Sequence, residues 1–299
     1  KGQAILRSEC QVDDRNDIPA DELLQVIGEY DALIVRSRTK VTPEVFEAAK
    51  KLKVVGRAGV GVDNINLAAA AAHGVTVVNA PKSTSVAVAE LALGLMLDLA
   101  RAIPIADSSM KGGQWLKKEL KGVELNGKTL GIIGMGNIGS ALAVRAAALG
   151  MRVVGYDPLL PAEEISKRGA EPVALDDLYA KADYISLHIP LTEETRGLIN
   201  GQALAKMKRG VRIVCTARGN IIDETALLGA IESGQVAGAA LDVYSKEPPG
   251  LTALVAHPKV IATPHIGAQT AEAQVRAAED MGTEILAALR GEPLRWKVV

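Results

Sequence analysis

Short apolar runs rich in Val and Ile alternate with amphipathic stretches along almost the whole chain, a pattern that predicts parallel strands covered by helices. Strands are predicted at 32–35, 54–56 and 75–78, and again at 130–133, 151–156, 184–187, 211–215, 237–243 and 260–262. Between the first three, Thr42 and Pro43 supply a cap and a first-turn residue for one helix. The alanine run 68–72 supplies another, with Gly74 to end it. Further helices are predicted at 201–209 and 223–233, and two longer ones, near 85–102 and 270–290, read as crossings between two domains. The chain opens on a helix-like KGQAILRS segment before any strand, so an initial strand is expected to precede Lys1.

One stretch carries more than secondary structure. In KTLGIIGMGNIGSALAVRAAALGMRVVGYDP, a buried strand through Leu130, Ile132 and Ile133 runs into Gly134, Gly136 and Gly139. A helix opens near Asn137, and a second strand ends on Asp157. The first glycine allows a tight turn, the second lets backbone approach a pyrophosphate, and the third lets helix and strand pack closely. The helix N-terminus then faces the anion, with Ile138 in its first turn. Asp157 is placed for the ribose hydroxyls and would repel a 2'-phosphate, so the expected cofactor is NAD rather than NADP.

Composition narrows the classes. At 299 residues and 48% hydrophobic content the chain can build two sizeable cores, mostly from aliphatic residues because aromatics are only 3%. With 34 basic and 35 acidic residues and no block of like charge, neither a nucleic-acid nor a membrane partner is expected. Cys10 and Cys215 are too few for a disulfide framework or a zinc site, which suits a reducing cytoplasm and no metal.

A nicotinamide cofactor implies hydride transfer, which needs a proton carrier beside it. His73 precedes Gly74 and reads as a helix-end residue, and His257 sits in a loop before Pro258. His188 ends a buried strand where an open sheet binds ligand. His265, in TPHIG, follows the last strand, with Pro264 and Gly267 to fix its loop at the mouth between domains. Glu247, in YSKEPP, ends the preceding strand and can pair with His265, orienting the ring and favouring its charged form. Arg218, in CTARGN, ends the strand before that, and its rigid guanidinium can hold a substrate carboxylate through two bonds.

GMGNIG, CTARGN, LDVYSKEPP and TPHIGA, in this order, resemble the D-isomer-specific 2-hydroxyacid dehydrogenases over nearly the whole chain. The resemblance implies Arg218, Glu247 and His265 as catalytic residues. It implies an α/β fold of two Rossmann-like, flavodoxin-like domains with parallel sheets. An NAD-binding domain over 81–266 would be inserted into a substrate domain made of 1–80 and 267–299. By the same resemblance Asp242 would bind the nicotinamide carboxamide, and His188, Pro190, Thr192, Thr216, Ala217, Gly267 and Ala268 would line the cofactor.

Within that family, ALIVRSRTKVT, VVGRAGVGVDNINL and KGVELNGKTLGIIG are similar to members acting on a phosphorylated 2-hydroxy acid. Such a substrate needs several cations, and Arg36, Ser37, Arg38, Arg57 and Lys117, with the backbone of Gly59, Val60 and Gly61, are the expected set. Other readings are a glyoxylate or hydroxypyruvate reductase on the same scaffold and an NAD-sensing corepressor. Two features depart from the usual pattern: Lys82, Ser83 and Thr84 in NAPKSTS, and Val60 where threonine is common. The apolar helix 86–99 and the likeness imply a homodimer, or a tetramer within a longer parent chain, with Lys117 reaching the partner's site.

Overall fold

The structure, a computed structural model, describes residues 1–299. It divides into two compact units, Lys1–Ser85 with Ala268–Val299, and Val86–Gly267. The first crossing falls after Ser85 rather than at residue 80, because the intervening turn is tied into the first unit. Arg276 Nε donates to Ser83 O (2.9 Å), and the Lys82 ammonium lies 5.2 Å from the centre of the Trp296 ring. The long helices are not crossings: Ser85–Arg101 lies in the second unit except for its first residue, and Ala271–Arg290 lies in the first.

In the first unit, β1 (Ala32–Val35), β2 (Val54–Arg57) and β3 (Thr76–Asn79) form a parallel sheet in that order. Alternation sorts their side chains by face: Val55 and Val77 enter one core with Ile27 and Phe46, while Val54 and Val78 pack with Met281 and Ile285 of helix Ala271–Arg290. The chain's end covers the free edge of β3, where Lys297 bridges Val78 antiparallel. The opening segment does form a helix, Gly2–Arg7, which packs with Ala271–Arg290. Thr42 occupies the cap position before helix Pro43–Ala48, but its side chain makes no capping bond; proline in the first turn, with its preset φ, does the starting.

The second unit holds a seven-stranded parallel sheet. Its strands are β4 (Thr129–Ile133), β5 (Arg152–Tyr156), β6 (Glu171–Pro172), β7 (Tyr184–Leu187), β8 (Val211–Cys215), β9 (Val236–Leu241) and β10 (Val260–Ala262). Their spatial order is β10-β9-β8-β7-β4-β5-β6. Strand β9 stops at Leu241, two positions short of the expected 243; the Asp242 N–H still bonds Cys215 O (2.9 Å) while its side chain serves the loop at Thr263. Both faces are covered: Leu130, Ile132 and Val214 pack with Ala92 and Met96 of helix Ser85–Arg101, and Ile185, Ile213 and Leu187 with Leu227 and Ile231 of helix Glu224–Glu232. No helix is long and apolar enough to cross a membrane.

Candidate active site

The glycine-rich turn leaves the C-terminal end of β4, which lies between β7 and β5, so the chain reverses its order across the sheet at this point. Open α/β sheets bind ligands at such a switch point. Gly134 takes φ +95°, and a Cβ there would lie 2.6 Å from His188 O; one on Gly139 would lie 2.1 Å from Gly134 O. A Cβ on Gly136 would meet no atom within 4 Å, leaving room in front of the N-terminus of helix Asn137–Ala148. Asp157 directly follows β5 with both oxygens directed at backbone: Oδ2 accepts from Met135 N (2.9 Å) and Oδ1 from Leu159 N (3.0 Å). Each oxygen keeps a lone pair for a ribose hydroxyl.

His188 and Thr216 follow the ends of neighbouring strands β7 and β8. His188 Nε2 is 2.8 Å from Ser186 Oγ, while its Nδ1 and Thr216 Oγ1 are buried with no hydrogen-bond partner in the chain. Burial pushes the His188 imidazole down to about 4, so near neutral pH the ring is uncharged. Beyond β7, the Thr195 hydroxyl bonds Pro190 O (2.7 Å) and accepts from Thr192 N (2.7 Å), knitting that loop. Ala217 follows Thr216 and is buried. Orphaned polar atoms, open space at the middle glycine and a strand-end acid suit a dinucleotide, and together they define a dinucleotide-binding domain.

At the same edge of the sheet, β8, β9 and β10 are consecutive parallel neighbours, so Arg218, Glu247 and His265 all leave from C-terminal ends. His265 Nδ1 lies 2.7 Å from Glu247 Oε2, while Glu247 Oε1 accepts from Tyr244 N (3.1 Å) and is thereby aimed. Arg218 Nη1 donates to Ala217 O (2.7 Å). Gly219 must be glycine, since a Cβ there would lie 1.8 Å from Tyr244 O; this lets the β8 and β9 ends come together. Burial pushes the Cys215 thiol, beneath Arg218, up to about 11, which disfavours its thiolate.

The histidine loop is fixed by a buried carboxylate, to which Gly267 contributes its backbone N–H. Asp242, fully buried, accepts from Thr263 Oγ1 (2.6 Å) and Ile266 N (2.8 Å) at Oδ1, and from Gly267 N (2.8 Å) at Oδ2. These bonds bracket His265, whose φ of +52° is uncommon outside glycine and needs such support. Tyr244 adds a brace: its hydroxyl is within bonding distance of Leu241 O (2.9 Å) and Thr263 O (3.0 Å). Neither Thr263 nor Tyr244 stood out in the sequence. The remaining histidines are structural, His73 Nδ1 lying 2.9 Å from Ala69 O and His257 Nδ1 accepting from Lys259 N (3.1 Å).

In the first unit, Arg36 to Arg38 follow β1 while Arg57 ends the adjacent β2 and Ala58 to Gly61 follow it, since Val35 pairs with Arg57 in the sheet. Asn79 Nδ2 holds Val60 O (2.7 Å), and Asn64 Nδ2 holds Arg36 O (2.8 Å). Arg57 Nη1 folds back onto Ala58 O (3.0 Å). Arg38 is turned away into an ion pair with Asp17, with its side chain 80% exposed. Lys117 is an exposed turn residue of the second unit, and Ala268 begins the returning segment of the first.

A family model described as the D-isomer specific 2-hydroxyacid dehydrogenase NAD binding domain matches residues 93–267. The chain is 47% identical to a D-3-phosphoglycerate dehydrogenase of Pongo abelii over 284 residues, covering 95% of this chain and 53% of that protein. It is 49% identical to one of Methanocaldococcus jannaschii over 289 residues, covering 96% and 55%. The chain thus spans about half the length of these curated relatives. A glyoxylate reductase from Paecilomyes thermophila matches in structure with a TM-score of 0.90 and 34% identity, over 99% of this chain and 94% of that one. This chain belongs to the D-isomer specific 2-hydroxyacid dehydrogenase family, and its cofactor is NAD.

Proposed function

We propose that the chain carries out the NAD-dependent oxidation of D-3-phosphoglycerate to 3-phosphohydroxypyruvate, the first step of serine biosynthesis. The likeness to D-3-phosphoglycerate dehydrogenases over 95% of the chain supports the substrate. The observation that carries the chemistry is the 2.7 Å contact between His265 and Glu247, next to Arg218 on consecutive strand ends. In this reading His265 Nε2 takes the hydroxyl proton from the substrate, and Glu247 stabilises the imidazolium that results. Arg218 holds the carboxylate and the reacting oxygen. Bound NAD supplies the hydride acceptor. Gly134, Gly136 and Asn137 bind the pyrophosphate through backbone, Asp157 binds the ribose, and Asp242 presents the loop that carries His265.

The anionic groups of the substrate are assigned to Arg36, Ser37, Arg38, Arg57 and Lys117 with the backbone of Gly59 to Gly61. Following NADH absorbance on mixing enzyme, NAD and D-3-phosphoglycerate tests the reading. NADH formation that is strongly slowed in His265→Ala supports it, and none with the parent overturns it. A second reading, reduction of a small 2-oxo acid such as glyoxylate, is favoured by one observation: Arg38 is engaged by Asp17, which reduces the cations left for a phosphate.

We also infer a homodimer in the cytoplasm, or a tetramer within a longer parent. Leu97, Ile103, Ile105, Met110 and Trp115 expose apolar side chains along one stretch, Met110 by 56% and Trp115 by 74%. Light scattering that returned a monomer at micromolar concentration would contradict the assembly.

A further inference from the structure

The residue between the first two fingerprint glycines, Met135, is held from three directions. Its side chain is fully buried, and a Cβ on Gly155 would lie 3.0 Å from its Cγ and Sδ. Its N–H donates to Asp157. Its carbonyl accepts from Arg168 Nη1 at 2.8 Å. Ser140 Oγ also lies 3.2 Å from that carbonyl, but at 2.7 Å from Gly136 O its single proton has a better acceptor. Arg168 is the principal donor to Met135 O. It sits just past helix Ala162–Lys167, where its own N–H bonds Glu164 O and Ile165 O (both 3.1 Å), so the side chain starts from a fixed point.

A trans peptide points its C=O and N–H in opposite directions. The carbonyl of Met135 and the N–H of Gly136 belong to one peptide, so fixing the carbonyl on the Arg168 side aims that N–H away from it, toward the open space in front of the helix N-terminus. Glycine on the far side of this peptide leaves it easily rotated, so a mooring on the carbonyl is what prevents a flip. The neighbouring peptide is fixed separately, through Met135 N and Asp157. We propose that Arg168 is a positioning residue for cofactor binding, setting the Met135–Gly136 peptide so that the Gly136 N–H meets the pyrophosphate of NAD.

The contact is a single bond to one oxygen, so charge and reach matter more than the guanidinium fork. Binding is read by fluorescence titration with NADH, and by displacement of NADH with ADP-ribose and with adenosine. Arg168→Met should raise the Kd of NADH and of ADP-ribose by on the order of tenfold, the effect of losing one charge-assisted hydrogen bond. Adenosine, which lacks the pyrophosphate, should displace as well as from the parent. In steady state the KM for NAD should rise while kcat at saturation stays put, and Arg168→Lys should recover most of the affinity. Unchanged NADH binding in Arg168→Met, an equal loss for adenosine, or no recovery with lysine would each overturn the proposal. Failure of the parent itself to bind NADH would instead contradict the cofactor reading.

Discussion

The two sets of strand ends differ in how firmly their side chains are held. At β8 to β10, backbone and side-chain donors converge on carboxylates: Asp242 collects Thr263, Ile266 and Gly267, and Glu247 collects Tyr244 N and His265. At β1 and β2, the backbone is tied by Asn64 and Asn79, but Arg38 reaches out to a surface aspartate and Arg57 folds onto its own chain. On the proposed reading, the groups that would move a proton are held by the fold itself, whereas the cations that would choose a substrate sit in an exposed ion pair and on the local backbone. Within one scaffold, chemistry can then stay fixed while specificity changes.

The largest effect should come from the built-in side. His265→Ala should lower kcat by ~10² to 10⁴ while NADH affinity, measured by fluorescence, stays near the parent's. A variant with parental turnover would break the comparison at its stronger end. Next, Arg218→Lys keeps the charge but loses the fork, and should lower kcat/KM by roughly 10- to 100-fold. Recovery to parental kcat/KM would show that a point charge suffices there.

The third effect is on stability. Burial holds the folded-state pKa of His188 at about 4, below its unfolded value near 6.5. The unfolded chain therefore takes up this proton first, so the His188 contribution is complete above the unfolded value and is lost as pH falls toward 4. Between pH 7 and 5 the loss should be at most about 2 kcal/mol, read by urea unfolding. His188→Gln should flatten that pH dependence; an equally steep slope in the variant would assign it to other groups. The smallest effect belongs to the loosely held side. Arg38→Ala breaks an exposed ion pair and should change unfolding free energy by less than about 1 kcal/mol. A larger loss would show that Arg38 is a structural residue.

What the chain's letters reveal follows the range of the interaction. Every strand but β6 was legible, because their apolar runs are short and bounded, whereas the two-residue β6, Glu171–Pro172, has no such run; the trio was legible because each member follows such a run. Helix Ile103–Lys111 was missed because the expected helix was ended near 102; it restarts after Ala102, whose φ of +51° is left-handed. Helices Ala162–Lys167 and Leu175–Lys181 are too short to establish a period. The loop-holding role of Asp242 depends on donors 21 to 25 positions later, and that of Arg168 on a carbonyl 33 positions earlier. Such pairings exist only once the sheet is ordered, so no local pattern announces them.

The division of work between the two sets of strand ends is tested most directly by one ratio. It is kcat/KM for D-3-phosphoglycerate over that for D-glycerate, measured in the parent and in Arg36→Ala. The parent should favour the phosphorylated acid by about 10² or more, as expected for added charge-assisted bonds to a phosphate. Arg36→Ala should shrink the ratio while turnover of D-glycerate persists. A ratio near one in the parent, or a variant that loses both substrates equally, would contradict the account.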